Sequence, residues 1–249
     1  MKEDIGTREQ GGDAWFTGLA GAGWVAFVLL WLTASFLSRA RLVPLTVEDG
    51  PVENATALLF LVASVIMAET WWRSARPGRR PRRLHGLLVL AVLLFICFGE
   101  EISWGQRIFG WRTPPAIASL NLQGETNLHN LELFHPRNPD GTPKGFLPLL
   151  LNMNRLFALF WLAYCVVLPL LARRSETTRS LAARLGVPIP PLWIGGLFLL
   201  SFLVPHLLER VRGADLAGPL DEIKEMADAA AYFLLAVVFL LRGRRHRPE

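Results

Sequence analysis

One short stretch of the sequence concentrates side chains that can do acid–base chemistry. Residues 100–107 read Glu-Glu-Ile-Ser-Trp-Gly-Gln-Arg, which places two carboxyls, a hydroxyl, an amide and a guanidinium within about two helical turns. A carboxyl group can act as a general acid or base, and an arginine can hold a phosphate or a carboxylate. Glu100 and Glu101 are therefore candidate catalytic residues, and Arg107 is a candidate substrate-binding residue. The alternative is a helix end in which these acids pair with Arg107 and Arg155.

A second polar stretch, residues 121–130, reads Asn-Leu-Gln-Gly-Glu-Thr-Asn-Leu-His-Asn. His129 is a candidate catalytic residue, because imidazole gains or loses a proton near neutral pH. The acid and amide side chains are candidates for substrate binding, and the alternative is a hydrogen-bonded lid. The apolar spacing over 121–134 further predicts a short helix. The substrate-binding candidates here are Gln123, Glu125 and Asn130, with Arg155 as a counter-charge from a later helix.

Two regular spacings occur in the C-terminal part of the chain. His206 and Glu209 are three residues apart, so a helix directs both toward one site, and Glu222, Glu225 and Asp228 repeat the same spacing. His206 and Glu225 join the candidate catalytic residues. The candidate cofactor is a divalent metal ion, with His206, Glu209 and Glu222 as its ligands. The alternatives are a histidine that only forms interfacial hydrogen bonds and acids in internal salt bridges.

Long apolar segments must position these residues. The chain has 249 residues, of which 52% are hydrophobic and 19% charged, a composition that excludes disorder. Uninterrupted apolar runs of about 20 residues predict transmembrane helices. We expect an all-α fold, a polytopic membrane bundle of six transmembrane helices in a single integral membrane domain (1–249), with an ordered outer-side loop at 110–145. The predicted helices are 14–38, 51–72, 84–107, 146–172, 188–208 and 219–241.

The basic residues predict the orientation of the bundle. A net charge of +5 would favour nucleic acid as the partner of a soluble domain, but here Lys and Arg flank apolar blocks. Sixteen of them fall on the side that holds both termini and nine on the other. The positive-inside rule therefore predicts cytoplasmic termini, and no nucleic-acid partner is expected. The two cysteines lie in apolar runs, which disfavours a disulfide scaffold or a cysteine-based zinc site.

The acidic residues are distributed unevenly in this topology. Fourteen of the 21 Asp and Glu residues fall at the outer side, together with three histidines. A carboxylate within the membrane is costly unless it is paired, hydrated or protonated. Stability alone gives no obvious reason for this gathering, and we therefore expect a common polar site near the outer surface.

The two polar stretches also resemble known sequences. Residues 98–111 (FGEEISWGQRIFGW) and 121–130 (NLQGETNLHN) are similar to segments of an uncharacterised group of multi-pass bacterial membrane proteins with a GEEISWGQR-type segment. The resemblance implies a protein of the bacterial cytoplasmic (inner) membrane. No activity is known for the group, so the resemblance implies no mechanism.

Three functions remain open from the sequence. The first is a hydrolase or transferase that acts on a lipid or lipid-linked substrate at the outer leaflet. The second is a non-enzymatic subunit of a membrane complex, in which the polar residues hold the helices together or dock a membrane protein partner. The third is a cation or proton transporter, which is disfavoured because the inner halves of the helices carry few polar residues apart from Glu69. The lipid bilayer is a partner in all three.

Overall fold

The computed structural model describes residues 3–74, 84–128, 130–134, 142, 144–145 and 152–245, with backbone alone at 3–14, 107 and 244–245. Over these residues the chain is helical, and the described part contains no β-strand beyond one isolated bridge. The helices are α1 (Glu3–Phe36), α2 (Arg39–Thr46), α3 (Pro51–Ser74), α4 (His85–Glu101), α5 (Gln106–Phe109), α6 (Pro115–Ala118), α7 (Met153–Arg174, with a π-helical stretch at Leu162–Val167), α8 (Glu176–Leu185), α9 (Leu192–Arg212) and α10 (Ala217–Arg245).

The long helices define a membrane-embedded bundle. Among the described residues, five segments are long and apolar enough to cross a membrane, namely Trp15–Phe36, α3, α7, α9 and Ala214–Gly243. Large apolar side chains point away from the bundle along them, as lipid contact requires, including Val25, Leu29, Leu58, Val65 and Leu203. With 17 residues, α4 is about 26 Å long, close to the minimum for a span. The all-helical membrane fold is confirmed, and the count of six spans stays a prediction.

The third predicted span, 84–107, is wrong at its C-terminal end. Helix α4 ends at Glu101 and not at residue 107. The backbone enters the left-handed region at Ser103, Trp104 and Gly105, with φ of 45°, 53° and 81°. That conformation cannot continue a right-handed helix. The Trp104 ring folds back onto Gly99, where an added Cβ would lie 2.9 Å from the ring. The acids of α4 therefore sit at a sharp reversal of the chain.

Other bounds also differ from the prediction. Helix α9 begins at Leu192, not at 188, because consecutive prolines precede it. The fourth span is helical from Met153, and residues 146–151 lie outside the described residues. The short helices α2 and α8 lie between predicted spans. In the described residues of the expected helix (121–128 and 130–134), helical structure is limited to a single 3-10 turn at Glu132–Phe134.

Helix α3 packs along both α4 and α10. A buried hydrogen bond from Ser64 Oγ to the Ala91 carbonyl, 2.7 Å long, joins α3 to α4. On the other side, α9 packs against α10 and against the π-helical stretch of α7. That approach needs a glycine at position 195, since a Cβ there would lie 2.4 Å from the Cys165 carbonyl oxygen.

The connections divide between two ends of the bundle. The connecting residues 37–50, 102–128, 130–134 and 213–216 lie at the helix ends that carry the acids of α3, α4 and α10, and we call this the acidic end. The opposite end holds α8 and the turn to α9. At the acidic end, Arg212 donates hydrogen bonds to the carbonyls of Ala34, Ser35 and Leu37 at 2.7–3.2 Å, which satisfies the last carbonyls of α1.

Candidate functional site

The acidic end contains a polar cavity of about 690 Å³, which lies within the size range of small-molecule sites. Residues from α3, α4, the loop after α4, α7 and α10 surround it. Eight of the lining side chains are acids, five are amides and one is an arginine. We call this space the acidic cavity; its lining is Glu48, Glu53, Glu100, Glu101, Gln123, Glu125, Asn127, Asn130, Phe134, Asn152, Met153, Asn154, Arg155, Gly218, Asp221, Glu222 and Glu225.

Most of the candidate residues from the sequence line this one cavity. They come from positions up to 125 residues apart, and the ends of different helices bring them together. The candidates on the cavity wall are Glu100, Glu101, Gln123, Glu125, Asn130, Arg155, Glu222 and Glu225. His129 and the side chain of Arg107 lie outside the described residues.

Glu100 fixes the loop to the end of α4. Its Oε1 accepts a hydrogen bond from Trp104 Nε1 at 2.7 Å, and its Oε2 accepts one from the Leu128 backbone N–H at 2.6 Å. The side chain is buried, so these charge-assisted bonds are well shielded from water. Both carboxyl oxygens therefore accept hydrogen bonds that hold the loop in place. These contacts favour a positioning role for Glu100, with Glu101 next to it on the cavity wall.

A network of side chains organises the loop that lines one side of the cavity. Asn121 Oδ1 accepts the backbone N–H groups of Gln123 and Glu125, at 2.9 and 3.2 Å. The Asn121 amide donates to Asn127, whose own amide donates to Glu125 Oε2 at 3.0 Å. Ser103 Oγ donates to the same Glu125 carboxylate. The Asn121 side chain therefore stabilises a turn in place of a helix. This competition explains why the prediction of a helix over 121–134 is wrong.

The N-terminus of α7 is held at the cavity by a side-chain cap. Asn152 Oδ1 accepts the backbone N–H of Arg155 at 3.1 Å, and the Asn152 amide donates to the Phe134 carbonyl at 3.1 Å. The first contact starts the helix, and the second ties it to the loop. Both Asn154 and Arg155 are thereby placed on the cavity wall.

The predicted metal site is not assembled. Among the described residues, no group of three or more His, Cys, Asp or Glu side chains is placed to hold a metal ion. His206 is exposed, its Nδ1 lies 2.7 Å from the Phe202 carbonyl oxygen, and its ring packs on Phe202. Of the predicted ligands, Glu222 alone lines the acidic cavity, whereas His206 and Glu209 do not. The three-residue spacing aligned the two residues on α9, but neither side chain reaches the cavity wall.

A second, smaller space of about 150 Å³ adjoins the acidic cavity, and we call it the deep pocket. The two share five lining residues, among them Glu101 and Glu225. Apolar side chains form much of the remaining wall, and Ile96 among them is 38% exposed on the flank of α4. The pocket therefore borders the lipid-facing surface. Its lining is Phe60, Ile96, Cys97, Glu100, Glu101, Met153, Asn154, Phe157, Lys224, Glu225 and Asp228.

The deep pocket holds an ion pair that the sequence did not single out as functional. Lys224 Nζ lies 3.2 Å from Asp228 Oδ2, and Asp228 is 2% exposed. The other carboxyl oxygen, Asp228 Oδ1, is buried without a hydrogen-bond partner among the residues the structure describes. The four-residue spacing of Lys224 and Asp228 on one helix face was the available signal for the pair. The amides Asn152 and Asn154 carried no comparable signal.

Comparison with known proteins adds no assignment. The chain matches no protein-family model, no curated protein and no solved structure. The site therefore defines only a class, a membrane-embedded helical protein with a polar cavity at one end of its bundle.

Proposed function

We propose that the protein is an enzyme that acts on a lipid or lipid-linked substrate in the acidic cavity, as a hydrolase or a transferase. One observation carries the proposal: a polar cavity of about 690 Å³ adjoins a partly apolar pocket that borders the lipid-facing flank of the bundle. An amphiphilic molecule has the same two parts. A head group suits the cavity, and an apolar chain suits the deep pocket.

The proposed roles follow from position. Glu101 and Glu225 line both spaces, so they lie where the head group of a substrate would join its chain. A pair of carboxyl groups can divide the work of general acid and general base. The amides of Gln123, Asn130 and Asn154 would orient the head group. His129 remains a candidate from the sequence.

A direct test uses the purified full chain in lipid nanodiscs, incubated with a bacterial lipid extract. Liquid chromatography with mass spectrometry follows the loss of a lipid and the appearance of its product. We expect turnover by the natural chain and none by the double variant E101Q/E225Q. The matched control is Asp215→Asn, because Asp215 is an exposed acid of the same end that does not line the cavity.

Two results would contradict the proposal. One is the absence of any lipid product from the natural chain; the other is equal turnover by the natural chain and the double variant. Size-exclusion profiles and thermal unfolding of each variant show that a loss of turnover does not reflect a loss of fold. Copurification with another protein at fixed stoichiometry would favour the subunit function instead.

We also propose that the chain belongs to the bacterial group that residues 98–111 and 121–130 resemble, and lies in the cytoplasmic membrane with both termini inside. The positive-inside distribution of Lys and Arg supports this orientation. It would place the acidic cavity at the outer leaflet.

A further inference from the structure

The charge of the acidic cavity restricts what it can bind. Among the residues that the structure describes, its wall carries eight carboxyl side chains and one guanidinium, that of Arg155. A concave site lined by one sign of charge between low-dielectric walls concentrates the opposite charge. A phosphate or sulfate head group would meet many more carboxyls than cations. The cavity therefore favours a positively charged ligand.

A separate observation locates a hydrogen-bond acceptor for that ligand. Asp228 lines the deep pocket, and its Oδ1 is buried without a hydrogen-bond partner in the described part of the chain. Lys224 already engages the other oxygen of the same carboxylate at 3.2 Å. A buried polar atom without a partner is costly, and native proteins supply one from a ligand or an ordered water. A hydrogen-bond donor bound within the pocket would therefore satisfy Asp228.

The walls around this acceptor are partly apolar. Phe60, Ile96 and Phe157 line the pocket from three different helices, α3, α4 and α7. A small inorganic cation gains nothing from such walls, whereas an apolar chain gains about 25 cal/mol for each Å² that it buries. The three features together describe an amphiphile with a cationic donor group.

We infer that the substrate is an amphiphile that carries a primary ammonium group at the junction of the acidic cavity and the deep pocket. The inference rests on the proposed function and names its substrate class. The ammonium donates one hydrogen bond to Asp228 Oδ1, and its charge is balanced by the carboxyls of Glu101 and Glu225 on the same wall. Its apolar chain lies against Phe157 and Ile96, and the rest of its head group occupies the acidic cavity.

Four probes with the same dodecyl chain test this inference: dodecylammonium, dodecyltrimethylammonium, dodecanol and dodecyl sulfate. Binding to the full chain is measured by equilibrium dialysis in phosphatidylcholine nanodiscs, below the micelle concentration of each probe, with empty nanodiscs as background. We expect one saturable site for dodecylammonium, about tenfold tighter than for dodecanol. The trimethyl probe, which has the charge but no N–H donor, should bind about fivefold more weakly than dodecylammonium. Dodecyl sulfate should not bind.

Variants then assign the contact. Asp228→Asn should reduce the affinity for dodecylammonium to that for dodecyltrimethylammonium, because Glu101 and Glu225 still balance the charge, whereas Asp215→Asn should leave it unchanged. If Asp228→Asn does not fold, the comparison of the ammonium and trimethylammonium probes on the natural chain still tests the hydrogen bond.

The outcomes separate the inference from the proposed function. Equal or tighter binding of dodecanol or dodecyl sulfate would overturn the inferred head group and leave a lipid substrate in place. Equal binding of the two cationic probes would overturn the hydrogen bond to Asp228. The absence of saturable binding for all four probes would overturn the lipid substrate itself, and with it the proposed function.

Discussion

The two ends of the bundle use their polar side chains differently. At the opposite end, Ser175 caps α8 by accepting the Thr178 backbone N–H at 3.2 Å, and Arg179 pairs with Glu176 one turn away. Tyr164 donates to the Pro188 carbonyl at 2.8 Å. Each of these contacts satisfies a helix end or a turn. The acidic end instead surrounds a cavity of about 690 Å³ with acids and amides and leaves a buried carboxyl oxygen of Asp228 without a partner in the described residues.

Polar residues with a structural role can be distinguished from functional ones by how their charges and hydrogen bonds are satisfied. Local capping and pairing reduce the cost of leaving backbone and charged groups unsatisfied, and they need few residues. Acids from α3, α4 and α10 that converge on one cavity repel one another, which lowers stability. Such an arrangement is typical of a site that is built for a ligand.

The largest expected difference between the ends is their accessibility from outside the cell. In a chain with Cys97 and Cys165 replaced by alanine, we introduce Ser119→Cys at the acidic end or Thr177→Cys at the opposite end, both at exposed positions. A membrane-impermeant maleimide on intact cells should label position 119 and not 177. Labelling of position 177 alone would contradict the predicted orientation and indicate the reverse one.

The next largest difference concerns activity. Replacing Glu101 by Gln removes a carboxyl from the wall shared by the cavity and the pocket, and we expect turnover of the lipid substrate to fall about 10²–10⁴-fold. Glu176→Gln is the matched change at the opposite end and should leave turnover within about twofold, because surface ion pairs contribute little. Initial rates at saturating substrate provide the measurement. Equal losses in both variants would remove the functional distinction between the two ends.

A smaller difference is expected in stability. Glu100→Ala leaves Trp104 Nε1 and the Leu128 N–H without their acceptor, which should cost about 2 kcal/mol of unfolding free energy. Hydrogen exchange at Leu128 should also accelerate. At the opposite end, Ser175→Ala removes one helix cap and should cost about 1 kcal/mol. Chemical unfolding in detergent compares the two, and an unchanged stability of Glu100→Ala would contradict the positioning role.

Several site positions could be predicted from the sequence because helix ends alternate between two sides. Glu53 opens α3, Glu101 ends α4 and Glu225 lies in the first turns of α10, so a bundle must bring all three to one end. Which face of a helix turns inward could not be predicted in the same way. His206 and Glu209 lie at the correct end, yet α9 keeps them off the cavity wall.

The prediction from the sequence also failed in the loop. The apolar spacing of 121–134 matched a helix, but Asn121 accepts two backbone N–H groups and directs a turn instead. The reversal at Ser103 and Trp104 was also missed, because neither residue type favours a positive φ. The tertiary contacts of Trp104 with Gly99 and Glu100 accompany that conformation.

The helical membrane class and the end at which the acids gather could be read from the chain alone, because both depend on apolar length and on the positions of charges. The fold was needed to show that these acids line one cavity, that His206 does not line it, and that Asp228 meets Lys224 beside an apolar pocket. These features depend on the rotation of each helix about its axis, which is set by packing against its neighbours. A contact such as Gly195 against Cys165 fixes that rotation, and neither residue reveals it alone.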